Sequence, residues 1–185
     1  MALTPSTEMA LGTAAPNFSL PDTNGNFVSL DNFAESDALI VAFWCNHCPF
    51  VKHIKNEFSA FAREYQAKNV AVVAINANDI EHYPHDGPKQ MREDIEQYNY
   101  CFAYVLDESQ TVASAYNAAC TPDIYLFDRE RKLIYHGQFD ASRPNNDKPI
   151  DGADLRNATS RYLAGAEALT DQTPCIGCNI KWKTA

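Results

Sequence analysis

Ala38-Leu39-Ile40-Val41-Ala42-Phe43-Trp44-Cys45-Asn46-His47-Cys48-Pro49-Phe50-Val51 is the stretch whose reading decides the fold. It opens on an unbroken apolar run of the length of a buried strand, far below the ~20 residues of a bilayer-spanning helix. Beyond it, over Pro49–Gln66, the apolar residues Val51, Ile54, Phe58, Phe61, Ala62 and Tyr65 recur at helical spacing. Pro49 suits the first helical position, where no intrahelical partner exists for an N–H. The Cys45/Cys48 pair therefore falls on a strand-to-helix junction. Two thiols so spaced can close a small disulfide ring, and a helix N-terminus favours one of them as thiolate. That suits a dithiol exchanger: once one thiol forms a mixed disulfide, its neighbour is in reach to release the substrate. His47 adds a candidate positive charge beside the thiols. Such a pair also binds zinc, but its position between a buried strand and an amphipathic helix favours redox chemistry.

Upstream, residues 12–32 alternate apolar and polar around Asn24-Gly25, a hairpin signal. Downstream, residues 70–75 are apolar on both faces and follow a helix, which predicts a central parallel strand. Residues 79–101 form an insertion, a polar loop with Pro84, Gly87 and Pro88 that turns helical over 89–98. A strand over 102–106 and a helix capped by Ser109 and running to 116 follow. Strands over 124–127 and 133–139 flank a charged turn as a second hairpin. A loop over 140–151 leads to a closing helix over 153–164. The expected organisation is one domain over residues 1–168 and an extended tail over 169–185 that carries a second Cys-x-x-Cys, Cys175 and Cys178.

The chain has 185 residues, enough for one well-buried core. With 45% hydrophobic and 21% charged residues it has the composition of an ordinary folded domain. A net charge of −9 disfavours a surface built for nucleic-acid phosphates or anionic lipid. No phosphate-cradling glycine loop and no serine-nucleophile motif occurs. The expectation is an enzyme with no cofactor, no resident metal, no nucleic-acid partner and no membrane partner. The first residues lack the positive and apolar segments of a secretory signal, which, with residue 1 as the native start, points to the cytoplasm. There, six cysteines mean redox chemistry or metal rather than structural staples.

The order hairpin, strand, Trp-Cys-x-x-Cys, helix, strand, helical insertion, Thr-Pro strand, hairpin and helix resembles a thioredoxin-like protein over nearly the whole chain. The resemblance implies an α/β protein, a three-layer α/β/α fold with an N-terminal hairpin and a helical insertion. Gly12-Thr-Ala-Ala-Pro16-Asn-Phe18-Ser-Leu20 and Gly25-Asn-Phe27-Val-Ser-Leu30 resemble, more narrowly, the redoxin branch that includes the alkyl hydroperoxide reductase/thiol-specific antioxidant proteins. It further implies that Pro122, after Cys120-Thr121, is a cis-proline packed against the active cysteines, and that Thr121 lends its backbone to a bound substrate strand. The implied activity is thiol-disulfide exchange on a disulfide-containing protein or small thiol substrate, with a cellular reductant or oxidant as partner.

Two alignments leave the attacking thiol open. Matching Phe43-Trp44 to the membrane-tethered thioredoxin-like reductases puts Cys48 at their attacking position, where it would cap the helix with free N–H groups aimed at its sulfur. Taking Trp44-Cys45-Asn46-His47-Cys48 as the motif of disulfide isomerases makes Cys45 the attacker and His47 its tuner. The reading leans to Cys48. A peroxiredoxin-like peroxidase is an alternative, but peroxiredoxins carry Thr and Pro where this chain has Cys45 and Val41. A non-catalytic binding or zinc module is a third class. Thioredoxins often carry a buried acid where Ala42 stands, so proton transfer here needs another group or water.

Cys120 is either a third exchanging thiol or a small buried hydrophobe, and Cys101 reads as the latter. Cys175 and Cys178 could join the first pair around zinc only if the fold united them, since the separation far exceeds the ~15–20 residues of a zinc ribbon. They could instead exchange electrons with Cys45 and Cys48, as tethered thiols at an effective concentration of ~mM, docked by Ile180 and Trp182. The tail's Gly-Cys-x-Ile-Lys-Trp pattern resembles the ending of a little-characterised subgroup of thioredoxin-like proteins. His82, Tyr83, His85 and Asp86 could form a metal cluster but read as a solvated loop, His53 and His136 get the same solvated reading, and Phe50, Phe58 and Phe61 read as core.

Overall fold

The structure is a computed structural model that describes residues 3–184. In chain order it contains β1 (Leu3–Pro5), β2 (Ser19–Pro21), β3 (Phe27–Ser29), β4 (Ala38–Phe43), α1 (Pro49–Gln66), β5 (Val70–Asn76), α2 (Pro88–Tyr98) and β6 (Ala103–Leu106). There follow α3 (Thr111–Ala115), β7 (Cys120–Thr121), β8 (Asp123–Phe127), β9 (Leu133–His136), α4 (Ala153–Leu163) and β10 (Ile176–Asn179). Among the described residues, no helix is long and apolar enough to cross a membrane.

Every residue of β4 is buried because successive side chains enter two different cores. Ala38, Ile40 and Ala42 pack with Val51, Phe58 and Phe61 of α1 and with Leu155 of α4. Leu39, Val41 and Phe43 pack with Phe18, Val112 of α3, Tyr116 and Tyr125 on the opposite face. The sheet between these cores has the order β6-β5-β4-β8-β9. This is the anticipated three-layer α/β/α arrangement, with the β2/β3 hairpin at its edge. Helix α1 is the crossover that lets β4 and β5 run parallel, and β8 runs antiparallel to β4 with Phe43 opposite Asp123. That register sets the residues before Asp123 beside the end of β4, where the cysteine motif begins.

Three local readings change. Ser109 is not the N-cap of α3, which is Gln110 at φ +63°, although its Oγ accepts the N–H of Thr111 at 3.3 Å; Asp107 accepts the Ala113 N–H at 2.8 Å. Strand β9 stops at His136, because the Gln138 N–H turns to the carbonyl of Thr173 in the tail (2.8 Å). Cys101 is exposed, not buried, since its neighbours Tyr100 and Phe102 take the inward positions.

The tail strand β10 lies between β1 and β7 in a separate antiparallel sheet. Leu3 faces Cys178 on one side, and Cys178 faces Thr121 on the other. Cys178 and Ile180 are buried, while Trp182 is 44% exposed, so Ile180 anchors the tail and Trp182 does not.

Candidate active site

Pro49 opens α1 and leaves Cys48 as its N-cap, in extended backbone. The first N–H groups of a helix lack intrahelical partners, and here the Val51 N–H is directed at the Cys48 sulfur. Cys45 follows Trp44, which β5 holds through its backbone N–H to Ile75 (2.9 Å) and which Tyr100 holds through its indole N–H (3.2 Å). The Thr121-Pro122 peptide is cis, as the resemblance implied. Thr121 touches both thiols: its Oγ1 lies 3.3 Å from Cys45 Sγ, and its carbonyl accepts from Cys48 Sγ at 3.1 Å.

The two thiols are electrostatically unequal. The Cys45 thiol donates to Cys48 and draws the Cys48 pKa down to about 5, against desolvation, with the Cys178 thiol and the N–H groups of Val51 and Cys178 adding to the effect. The Thr121 carbonyl opposes ionisation, since it can accept only from the protonated thiol; the converging donors outweigh this one acceptor. Burial pushes Cys45 well above the ordinary thiol value, and its bond to Cys48 and the nearby Asp86 carboxylate push the same way. His47 is not what lowers Cys48. Its ring is turned away to Asp86, with Nδ1 2.5 Å from Oδ2, and stacks on Tyr83.

Asp86, read from sequence as part of a solvated loop, is fully buried in this site. One carboxylate oxygen accepts the backbone N–H groups of Asn46 (2.8 Å) and His47 (3.2 Å); the other accepts from Asn78 Nδ2 (2.8 Å) and meets the His47 ring. The insertion thus returns to brace the two residues between the cysteines and supplies the buried acid that Ala42 lacks. Asn46 is held further by Tyr104 Oη (2.8 Å) and by Lys55 Nζ, which donates to its carbonyl (3.1 Å) and pairs with Asp94 of α2. Beside this brace lies an open polar cleft lined by His47, Lys52, Lys55, Asp94 and Tyr98.

Cys45 and Cys48 are nonetheless completely buried. A substrate-facing pair is expected at an open surface, and here the tail covers it. Cys178 stands opposite Thr121, on the very backbone that the resemblance gives to a substrate strand, and both its thiol and its N–H reach Cys48. Cys175 points elsewhere: its Sγ donates to the Gly137 carbonyl at 3.0 Å, and burial raises its pKa. Burial likewise raises Cys120, whose thiol meets the Ser6 hydroxyl and the Pro122 carbonyl (3.5 Å). The fold therefore brings Cys178 to the redox pair without bringing Cys175, and the four cysteines do not converge as a four-thiolate zinc set.

Cys45, His47 and Asp86 offer a sulfur, a ring nitrogen and a carboxylate oxygen within 4.8 Å of one another. Both carboxylate oxygens already accept protein donors, and burial raises the Cys45 pKa, which does not suit a thiolate metal ligand.

The model of the AhpC/TSA family matches residues 11–136. Thiol-disulfide oxidoreductase ResA of Bacillus subtilis (strain 168) is 29% identical over 126 residues, 66% of this chain and 64% of that protein. The chain thus spans less than two thirds of that curated relative. Among solved structures, a hypothetical protein, SMc02350, from Sinorhizobium meliloti 1021 superimposes with a TM-score of 0.97 at 49% identity, over 98% of this chain and 100% of that one. A putative thiol:disulfide interchange protein DsbE from Chlorobium tepidum superimposes with a TM-score of 0.68 at 21% identity, over 84% of this chain and 99% of that one; at this distance the likeness establishes the thioredoxin-like fold.

Proposed function

The chain belongs to the AhpC/TSA family, and on that premise we propose that it is a thiol-disulfide oxidoreductase in which Cys48 is the attacking thiol and Cys45 its intramolecular partner. The observation that carries this reading is the convergence of the Cys45 thiol, the Cys178 thiol and the Val51 N–H on one helix-capping sulfur. A thiolate so stabilised is populated at neutral pH, and it is the thiolate that attacks. Cys48 adds to one sulfur of a substrate disulfide and expels the other half as a thiolate. Cys45, giving its proton toward Asp86, then attacks Cys48; the second half of the substrate leaves as a thiolate that takes up this proton, and the Cys45–Cys48 disulfide forms. An external dithiol returns the pair to its reduced state.

Both protein disulfides and small disulfides fit this chemistry, and the polar cleft beside His47 supports a peptide or thiol ligand there. We assign the reaction to the cytoplasm, because a dithiol reductant with further thiols around it requires reducing surroundings to remain reduced. The test compares dithiothreitol-dependent reduction of insulin and of oxidised glutathione with dithiothreitol-dependent consumption of peroxide. Disulfide reduction that is lost in Cys48→Ser is the expected result. Rapid peroxide turnover with no reduction of either disulfide would replace this reading with the peroxidase alternative.

A further inference from the structure

The second cysteine pair splits in the fold, and only one member reaches the redox centre. Strand β10 is seated antiparallel on β7 with Cys178 opposite Thr121 and Asn179 opposite Cys120. This register lays the Cys178 thiol and N–H against Cys48, whose own sulfur is 3.1 Å from the Thr121 carbonyl. The seat is specific: the residue before Cys178 is Gly177, and a Cβ there would overlap the Thr121 carbonyl group, with the carbonyl carbon 2.6 Å away. Only glycine lets β10 approach closely enough for the neighbouring thiol to meet Cys48.

We propose that Cys178 is a third redox residue of this site, which takes over the mixed disulfide by forming an intrachain Cys48–Cys178 disulfide before Cys45 acts. This rests on the reading of Cys48 as the attacking thiol. The tail strand presents its cysteine to Cys48 as a bound substrate would present a half-cystine. A substrate disulfide reaches Cys48 when β10 lifts from β7, and the tail's return delivers Cys178 to the mixed disulfide.

The exchange balances. The Cys178 thiolate attacks Cys48, the Cys48–substrate bond breaks, and the substrate half leaves as a thiolate that takes up the proton Cys178 gave up. Cys45 then attacks Cys48, expels Cys178 as a thiolate that is reprotonated, and closes the Cys45–Cys48 disulfide. The order follows from the surroundings of the two candidates. In the resting site both are held protonated, first by burial and then by their bonds to Cys48. Incorporating Cys48 into a disulfide removes its charge and so relaxes both. What remains beside Cys45 is the Asp86 carboxylate, which disfavours a second anion; what remains beside Cys178 is the Lys181 ammonium, which favours one.

The experiment uses the full-length chain carrying Cys45→Ser, treated in separate arms with limiting diamide and with oxidised glutathione, then alkylated, digested without reduction and mapped by mass spectrometry. The Cys48–Cys178 peptide should be the dominant linked species in both arms, and Cys175→Ser added to this chain should leave it in place. Cys48 carrying glutathione with Cys178 alkylated, or diamide leaving both Cys48 and Cys178 alkylated, would overturn the proposal. In an otherwise unaltered chain, Cys178→Ser should lengthen the lifetime of the Cys48–glutathione adduct at least tenfold; an unchanged lifetime would also overturn it. Because the mapping arm keeps Cys178, it does not depend on that variant folding. The outcomes also separate the two readings: glutathione on Cys48 with Cys178 idle contradicts this inference alone, whereas an active protein in which Cys48 never reacts contradicts the function itself.

Discussion

Gly177 lies so close to Thr121 that any larger side chain would strike the carbonyl that accepts the hydrogen bond of the Cys48 thiol. Backbone that must give way at such a point is expensive to move, so Gly177→Ala should unseat β10 instead of distorting β7. The expected outcome is faster alkylation of Cys48 by iodoacetamide, at least tenfold, with the fold retained by circular dichroism. Unchanged alkylation would mean that the tail does not guard the thiol.

The pH dependence follows from the Cys48 pKa, which is drawn down to about 5. The rate of Cys48 modification in the reduced protein should rise as pH climbs through about 5 and level off at higher pH, with no step near ~8.5, the ordinary thiol value. Ionisation of Cys48 also stabilises the fold, fully above the unfolded thiol's pKa and progressively less as pH falls toward about 5. Cys45 and Cys178, raised instead of lowered, act oppositely above the ordinary thiol range. Stopped-flow or mass-spectrometric alkylation across pH 4–9 is the check; a single rise near ~8.5 would contradict the electrostatic account.

Asp86 should govern the Cys45 step. Asp86→Asn removes the carboxylate that the proposed exchange uses to take the Cys45 proton, its oxygen lying within 4.8 Å of the Cys45 sulfur, and presents an NH₂ group to donors that had found a carboxylate. Loss of a general base costs ~10²-fold or more. Closure of the Cys45–Cys48 disulfide, followed by rapid acid quench, should slow by about that factor while the first attack by Cys48 changes far less. Equal slowing of both steps would place Asp86 in a purely structural role.

Lys55 ties the motif loop to α2 through the Asn46 carbonyl and Asp94. Lys55 is 1% exposed, and its removal leaves Asp94 partly buried without its cation, so Lys55→Ala should lower unfolding stability by about 3 kcal/mol. Denaturant unfolding of Lys55→Ala, Asp94→Ala and the double variant checks this. The double variant should recover part of the loss, because it leaves no uncompensated charge.

The parts of this molecule that were legible in sequence are those set by local periodicity. Strand β4 and helix α1 begin and end where the apolar run and the 3.6-residue pattern place them, because both bury an uninterrupted apolar set. The cis Thr121-Pro122 bond was not derivable from its neighbours and came through family resemblance alone. Asp86 was illegible for a physical reason: it lies in a polar loop flanked by exposed His85, and only the return of the insertion to Asn46 and His47 buries it. Lys55 lies outside the apolar positions that the helical pattern picks out, and it is buried only because Asp94 and the Asn46 carbonyl meet it in the fold. The tail read as extended, but a short strand interrupted by Gly177 carries no pattern that names Thr121 as its partner.

The most direct test of the central claim is the steady-state reduction of oxidised glutathione and of insulin, with dithiothreitol as electron source, by the unaltered chain, Cys45→Ser and Cys48→Ser. Disulfide exchange through this pair predicts turnover by the unaltered chain, its loss in Cys48→Ser by at least 100-fold, and a stalled disulfide on Cys48 in Cys45→Ser. Full activity in both single variants would contradict it.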